Sequence, residues 1–132
     1  MNDTMDTILG KIASPDNAYG GGGGSALAGS LGTSLARMVC HLQERKAEPA
    51  LQAAYAEILD QLNGFENRLL DLFEEDARSF EPLQAMYQIK PQTEEEKREK
   101  AARMAVLLEQ AARTPLEIME TGCAALRLLD RL

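Results

Sequence analysis

This sequence predicts an all-α bundle of about four helices, and three observations carry the prediction. Ala, Leu, Glu, Gln and Arg dominate the 132 residues, only 5% are aromatic and none is Trp, a composition that favours helix over sheet. Apolar residues recur at steps of three and four along most of the chain. The breaks in that rhythm fall where helix punctuation belongs, at Ser14-Pro15, at Pro49 and at Ile89-Lys90-Pro91-Gln92. At this length the chain, 1–132, makes one domain that buries roughly two-thirds of its unfolded surface.

The first helix is expected from about Thr4 to Ala13. It stops because Ser14 precedes Pro15, and a residue before proline is driven out of the helical region. A second helix, from about Gly24 to Arg45, carries Leu27, Leu31, Leu35, Met38 and Leu42 as one stripe. Beside it runs a stripe of small residues, Gly24, Ala28, Gly32 and Ala36, whose lower part suits tight helix packing. The third helix starts at Pro49, acceptable in a first turn, and reaches Tyr87. Its seam steps through Leu51, Tyr55, Ile58, Leu62, Phe65, Leu69 and Leu72, then Asp76, Phe80, Leu83 and Tyr87, the near-seven-residue rhythm of one long bundle helix. Pro82 is expected to kink or interrupt its last turns. Thr93 with Glu96 three residues on makes a capping box for a fourth helix, which runs to Leu132 with a kink at Thr114-Pro115. The charged start of that helix reads as a solvated face, paired at Glu94/Arg98, Glu96/Lys100 and Glu99/Arg103.

The run Tyr19-Gly20-Gly21-Gly22-Gly23-Gly24-Ser25 stands apart from this pattern. Two uses compete for it. It is a flexible linker, or it is a loop whose backbone N–H groups, at the start of the second helix, cradle an anionic or polar ligand edge.

Composition narrows the partners. A net charge of −7 disfavours nucleic acid and acidic membranes. Residues 18–36 are uncharged but too polar and too short to span a bilayer. The amino terminus lacks the basic start and apolar core of a signal peptide, and Cys40 and Cys123 fit no metal spacing. The chain therefore reads as cytosolic, with reduced thiols and no metal site.

Asp76 is the leading candidate for chemistry. It interrupts an apolar seam, where a carboxylate must be hydrogen-bonded, paired or protonated, and where desolvation raises its pKa toward general acid/base use. The alternative is a seam-edge carboxylate paired with an arginine. Glu74 and Glu75 lie toward solvent. His41, the single histidine, reads as a helix-end cation or a packed side chain. Arg45 and Lys46 complement the dipole at the end of the second helix.

Taken in order, Ile12-Ala13-Ser14-Pro15, the glycine run with Ser25-Ala26-Leu27-Ala28-Gly29, Met38-Val39-Cys40, Asp76-Ala77-Arg78-Ser79-Phe80, Thr93-Glu94-Glu95-Glu96-Lys97 and Thr114-Pro115-Leu116 resemble the cyclodeaminase/cyclohydrolase family of folate one-carbon metabolism. The resemblance spans nearly the whole chain and rests on order and spacing rather than on any single piece. It implies an all-helical homodimer, with a tetrahydrofolate derivative as substrate and no tightly bound cofactor. The activity it implies is closure of 5-formiminotetrahydrofolate to 5,10-methenyltetrahydrofolate with loss of ammonia, or hydrolysis of the methenyl compound. Asp76 would be the acid/base, and Gly20, Gly21, Gly22, Gly23 and Ser25 would contact substrate as an ordered turn. Lys90 would meet a carboxylate of the substrate. Three departures accompany the match. Gly23 stands where the family's loop has a serine, the lysine before the fourth helix is displaced by one position, and the family's domain continues into further helices after the point matching Leu132. They support a competing reading, a helical dimer that has lost turnover.

Overall fold

The computed structural model describes residues 3–15 and 19–132, and among these the fold is four helices: α1 (Met5–Ala13), α2 (Gly21–Lys46), α3 (Pro49–Tyr87) and α4 (Glu94–Leu129). The Thr4 side chain caps α1 by accepting from the Thr7 N–H. Thr93 does the same for α4, accepting from Glu96 N–H at 3.1 Å. The reciprocal carboxylate bond goes one residue further back than a standard capping box, from Gln92 N–H to Glu96 Oε2 at 2.7 Å. The short turn before α4 is held by Lys100, whose Nζ donates to the Ile89 carbonyl at 2.7 Å.

Four expectations need correction. First, α2 begins at Gly21, so the glycines after Gly20 are its first turn and not a loop; none of the described glycines has a positive φ. Second, beyond Leu27, which packs against the core, the leucine stripe of α2 faces outward: Leu31 is 65% exposed, and Leu35, Met38 and Leu42 are about half exposed. The helix instead buries Gly23, Ala26, Ser30, Thr33, Ala36 and Cys40. Small residues win this face because α2 lies close against α3, where a Cβ on Gly29 would already sit 3.2 Å from Leu69. Third, Pro82 does not interrupt α3, which runs unbroken to Tyr87, and α4 likewise continues through Pro115. Fourth, in the charged start of α4 the ion pair is Glu94–Lys97 at 3.2 Å, while Lys100 serves the Ile89 carbonyl.

Two apolar clusters make the core. One joins Ile8 of α1, Ala26, Leu69, Leu72, Phe73 and Ile118. The other joins Ala36, Cys40, Ile58, Leu62 and Leu128. The α3 seam is thus buried in its middle, while Leu51, Phe80 and Tyr87 toward its ends are exposed. Arg68 ties α3 to α4, reaching Glu75 at 2.9 Å and Glu117 at 2.7 Å.

Candidate active site

The first turn of a helix leaves four backbone N–H groups without intrahelical partners. At α2 the N-cap residue is Gly20, which has no side chain to satisfy them. The cap comes from another helix: Gly23 N–H donates to Asp76 Oδ2 at 3.0 Å, across a separation of 53 residues. The approach is close because Gly22 has no side chain; a Cβ there would lie 2.8 Å from both Asp76 carboxylate oxygens. Gly23 itself is buried against Phe73, and Tyr19 stacks on that ring with centroids 4.5 Å apart and planes 6° from parallel. The stack anchors the residue that leads into the glycine turn.

Asp76 is half-buried. Desolvation pushes its pKa above the ordinary carboxylate value, and the bond from Gly23 opposes part of that rise. No arginine pairs with it among the described residues; Arg68, about two turns earlier on α3, is engaged by Glu75 and Glu117. One carboxylate oxygen thus holds the α2 turn while the group also lines a cavity of about 390 Å³.

That cavity is walled by Gly20, Gly21 and Gly22 from the α2 turn and by Asp76, Ser79, Phe80 and Leu83 from α3. Leu108, Ala111, Ala112 and Pro115 of α4 close it. It has the size and character of small-molecule sites, mostly apolar with a few convergent polar groups. Volume alone would not select it. A groove of about 690 Å³ between α1 and α2 is larger, but Glu66 is its single charged lining residue, and that carboxylate is taken up by Arg37 and Ser34. The Asp76 cavity is distinguished by its chemistry, a carboxyl group with a raised pKa set at the first turn of α2.

The remaining candidates lie elsewhere. Ser25 is exposed, and its Oγ donates to the Gly21 carbonyl at 2.7 Å, inside α2. Lys90 is exposed in the turn after α3 and does not line the cavity. His41 faces Glu44 at 3.6 Å on the outer side of α2. The α4 wall carried one sequence signal, Pro115, read there only as a kink; Leu108, Ala111 and Ala112 gave none. Among the described residues no group of His, Cys, Asp and Glu is arranged to hold a metal ion, and no helix is long and apolar enough to cross a membrane.

Comparison with known proteins agrees with the resemblance. A methenyltetrahydrofolate cyclohydrolase from Methylorubrum extorquens is 31% identical over 116 residues, which cover 87% of this chain and 56% of that protein. The chain thus spans little more than half the length of that relative. The model of the formiminotransferase-cyclodeaminase family matches residues 4–132, nearly the whole chain. The chain belongs to the formiminotransferase-cyclodeaminase family.

Proposed function

We propose that the protein hydrolyses 5,10-methenyltetrahydrofolate, with Asp76 as the proton-transfer group. The observation that carries the reading is the half-buried Asp76 carboxyl, raised in pKa and set in a cavity beside the α2 N-terminus. Water adds to the methenyl carbon and loses a proton to the Asp76 carboxylate. The resulting tetrahedral carbon then expels one ring nitrogen, which takes that proton from Asp76. The hydroxyl proton passes to the regenerated carboxylate and on to water as the formyl C=O forms, so that one proton is released overall. A single carboxyl whose pKa is raised by burial, able to take up and return a proton, suits both steps.

The family match supports a second reading, cyclodeamination of the formimino compound, in which the same group protonates departing ammonia. Both reactions pass through a carbon flanked by two nitrogens. Gly20 to Gly22 would contact the substrate ring through the backbone. Tyr87, the last residue of α3, lies about 16 Å beyond Asp76 along the helix axis, and Lys90, three residues further on, would meet a carboxylate at the far end of a long substrate. The reading includes a homodimer in the cytosol. A second copy would cover the outward leucines of α2 together with Met5 and Leu9 of α1, residues about half or more exposed in one chain.

The methenyl chromophore provides the test. Purified protein should accelerate its loss in water, or its formation from the formimino substrate. Absence of both activities at high enzyme concentration, in a folded sample, would refute the enzymatic reading in favour of a helical relative without turnover.

A further inference from the structure

We propose that Pro115 turns the backbone carbonyl of Ala111 into a hydrogen-bond acceptor of the Asp76 cavity, one that orients substrate through an N–H donor. In an α-helix each carbonyl points along the axis toward the N–H four residues ahead. The carbonyl of Ala111 points at residue 115, which is proline and has no N–H to give. The ring also crowds that carbonyl and tilts it off the helix axis. Ala111, Ala112 and Pro115 all line the cavity. The two alanines leave the main chain reachable, and among the described residues no side chain donates to this carbonyl.

The other in-helix proline shows that the placement matters. Pro82 frees the Arg78 carbonyl in the same way, but Pro82 and Arg78 are both exposed, so water satisfies that group. Ala111 and Pro115 are half-buried. An acceptor left open in a partly dry cavity is costly until a donor arrives, which makes it discriminating. The cavity then offers N–H groups from the glycine turn, a carboxyl group from α3 and a carbonyl from α4. That set matches a planar nitrogen heterocycle whose edge carries both acceptors and N–H donors. The choice of a folate as the molecule bearing that edge rests on the function proposed above.

Calorimetric titration with 5-formyltetrahydrofolate, a stable substrate relative, tests this on three proteins. Pro115→Ala restores the missing N–H, so it should raise the melting temperature while weakening binding about three- to tenfold, the loss of one hydrogen bond. Ala111→Val keeps the proline but shields the carbonyl, and should weaken binding without the rise in melting temperature. A merely structural role for Pro115 would not move stability and affinity in opposite directions. Unchanged affinity in Pro115→Ala overturns the proposal; should that variant fail to fold, unchanged affinity in Ala111→Val overturns it instead. Failure of the unsubstituted protein to bind overturns both this proposal and the folate reading, whereas binding that is indifferent to the variants overturns this proposal alone.

Discussion

Replacing Gly22 by alanine should cost far more activity than stability, and the structure gives the sizes. The new Cβ would stand 2.8 Å from both Asp76 carboxylate oxygens; moving from 2.8 to the 3.4 Å of ordinary contact requires about 0.6 Å. The obstacle is a side chain, so the α2 backbone can stay in place while the carboxyl group swings away. The 3.0 Å bond from Gly23 then exceeds hydrogen-bonding distance. Losing a bond to a charged acceptor costs about 1.5–3 kcal/mol, and alanine in place of glycine in a helix returns about 0.5–1 kcal/mol. The net loss of about 1–2 kcal/mol lowers the melting temperature by about 3–8 °C in a domain of this size. Misplacing the proton-transfer group by most of an ångström should cut turnover on the order of a hundredfold. Gly24→Ala is the control: nothing lies within 4 Å of its added Cβ and the residue does not line the Asp76 cavity, so it should be neutral or raise the melting temperature by a few degrees with little loss of rate. Thermal unfolding followed by circular dichroism, with methenyl absorbance for turnover, reads both quantities. If Gly22→Ala matched Gly24→Ala in melting temperature and rate, the close approach of Asp76 to the α2 turn would not matter, and the reasoning would be refuted.

Three further outcomes follow from the same geometry. Asp76→Asn keeps an oxygen to accept from Gly23 and should fold normally, yet lose about a hundredfold or more in turnover; an unchanged rate excludes Asp76 as the acid/base. In the unsubstituted protein the raised pKa of Asp76 means that the folded state holds its proton more tightly than the unfolded chain. Its contribution is therefore fully present below the unfolded value and lost as pH rises through the folded one. Glu117 has the opposite sign: Arg68 holds its pKa down, so its contribution is present above the unfolded value and lost as pH falls through the folded one. Melting curves across the acid range should show Asp76→Asn removing the first effect and Arg68→Met the second, and Arg68→Met should cost no more than about 1 kcal/mol because the pair is partly exposed. Leu35→Glu should leave the helical content of one chain intact but give a monomer by light scattering; a dimer that survives the charge places the interface elsewhere.

Much of the architecture could be read from the sequence, because α1, α3 and α4 carry their own punctuation. Thr4, Ser14-Pro15, Pro49 and the Thr93 cap mark ends by local chemistry that tertiary packing seldom overrides. The orientation of α2 was not legible. Periodicity identifies which residues share a face but not which face turns inward, and here proximity to α3 selected Ala26, Ser30, Thr33 and Ala36 over the leucines. Asp76 was legible, since a carboxylate on an apolar seam demands a partner. The partner was not, because a backbone N–H 53 residues away leaves no trace in composition. The α4 wall was equally hidden, as alanines on a helix look alike whether they face a cavity or solvent.

The make-up of α2 also bears on the order in which the molecule assembles. Four glycines open this helix, two more follow at Gly29 and Gly32, and Ser25, Ser30, Thr33 and Ser34 lie among them. Such a segment has little tendency to coil alone, since each glycine concedes about 1 kcal/mol to alanine and nucleation is already unfavourable. The long, well-punctuated α3 and α4 each carry only one glycine and one interior proline, spread over a much longer run of good helix formers. On propensity alone we expect α3 and α4 to form the scaffold and α2 to condense on it late, so that substitutions at Ala26 or Ala36 should fall on the unfolding limb of a chevron rather than the folding limb. In that order the carboxyl group of Asp76 would meet its N–H only as α2 docks, and the cavity would take shape with that docking.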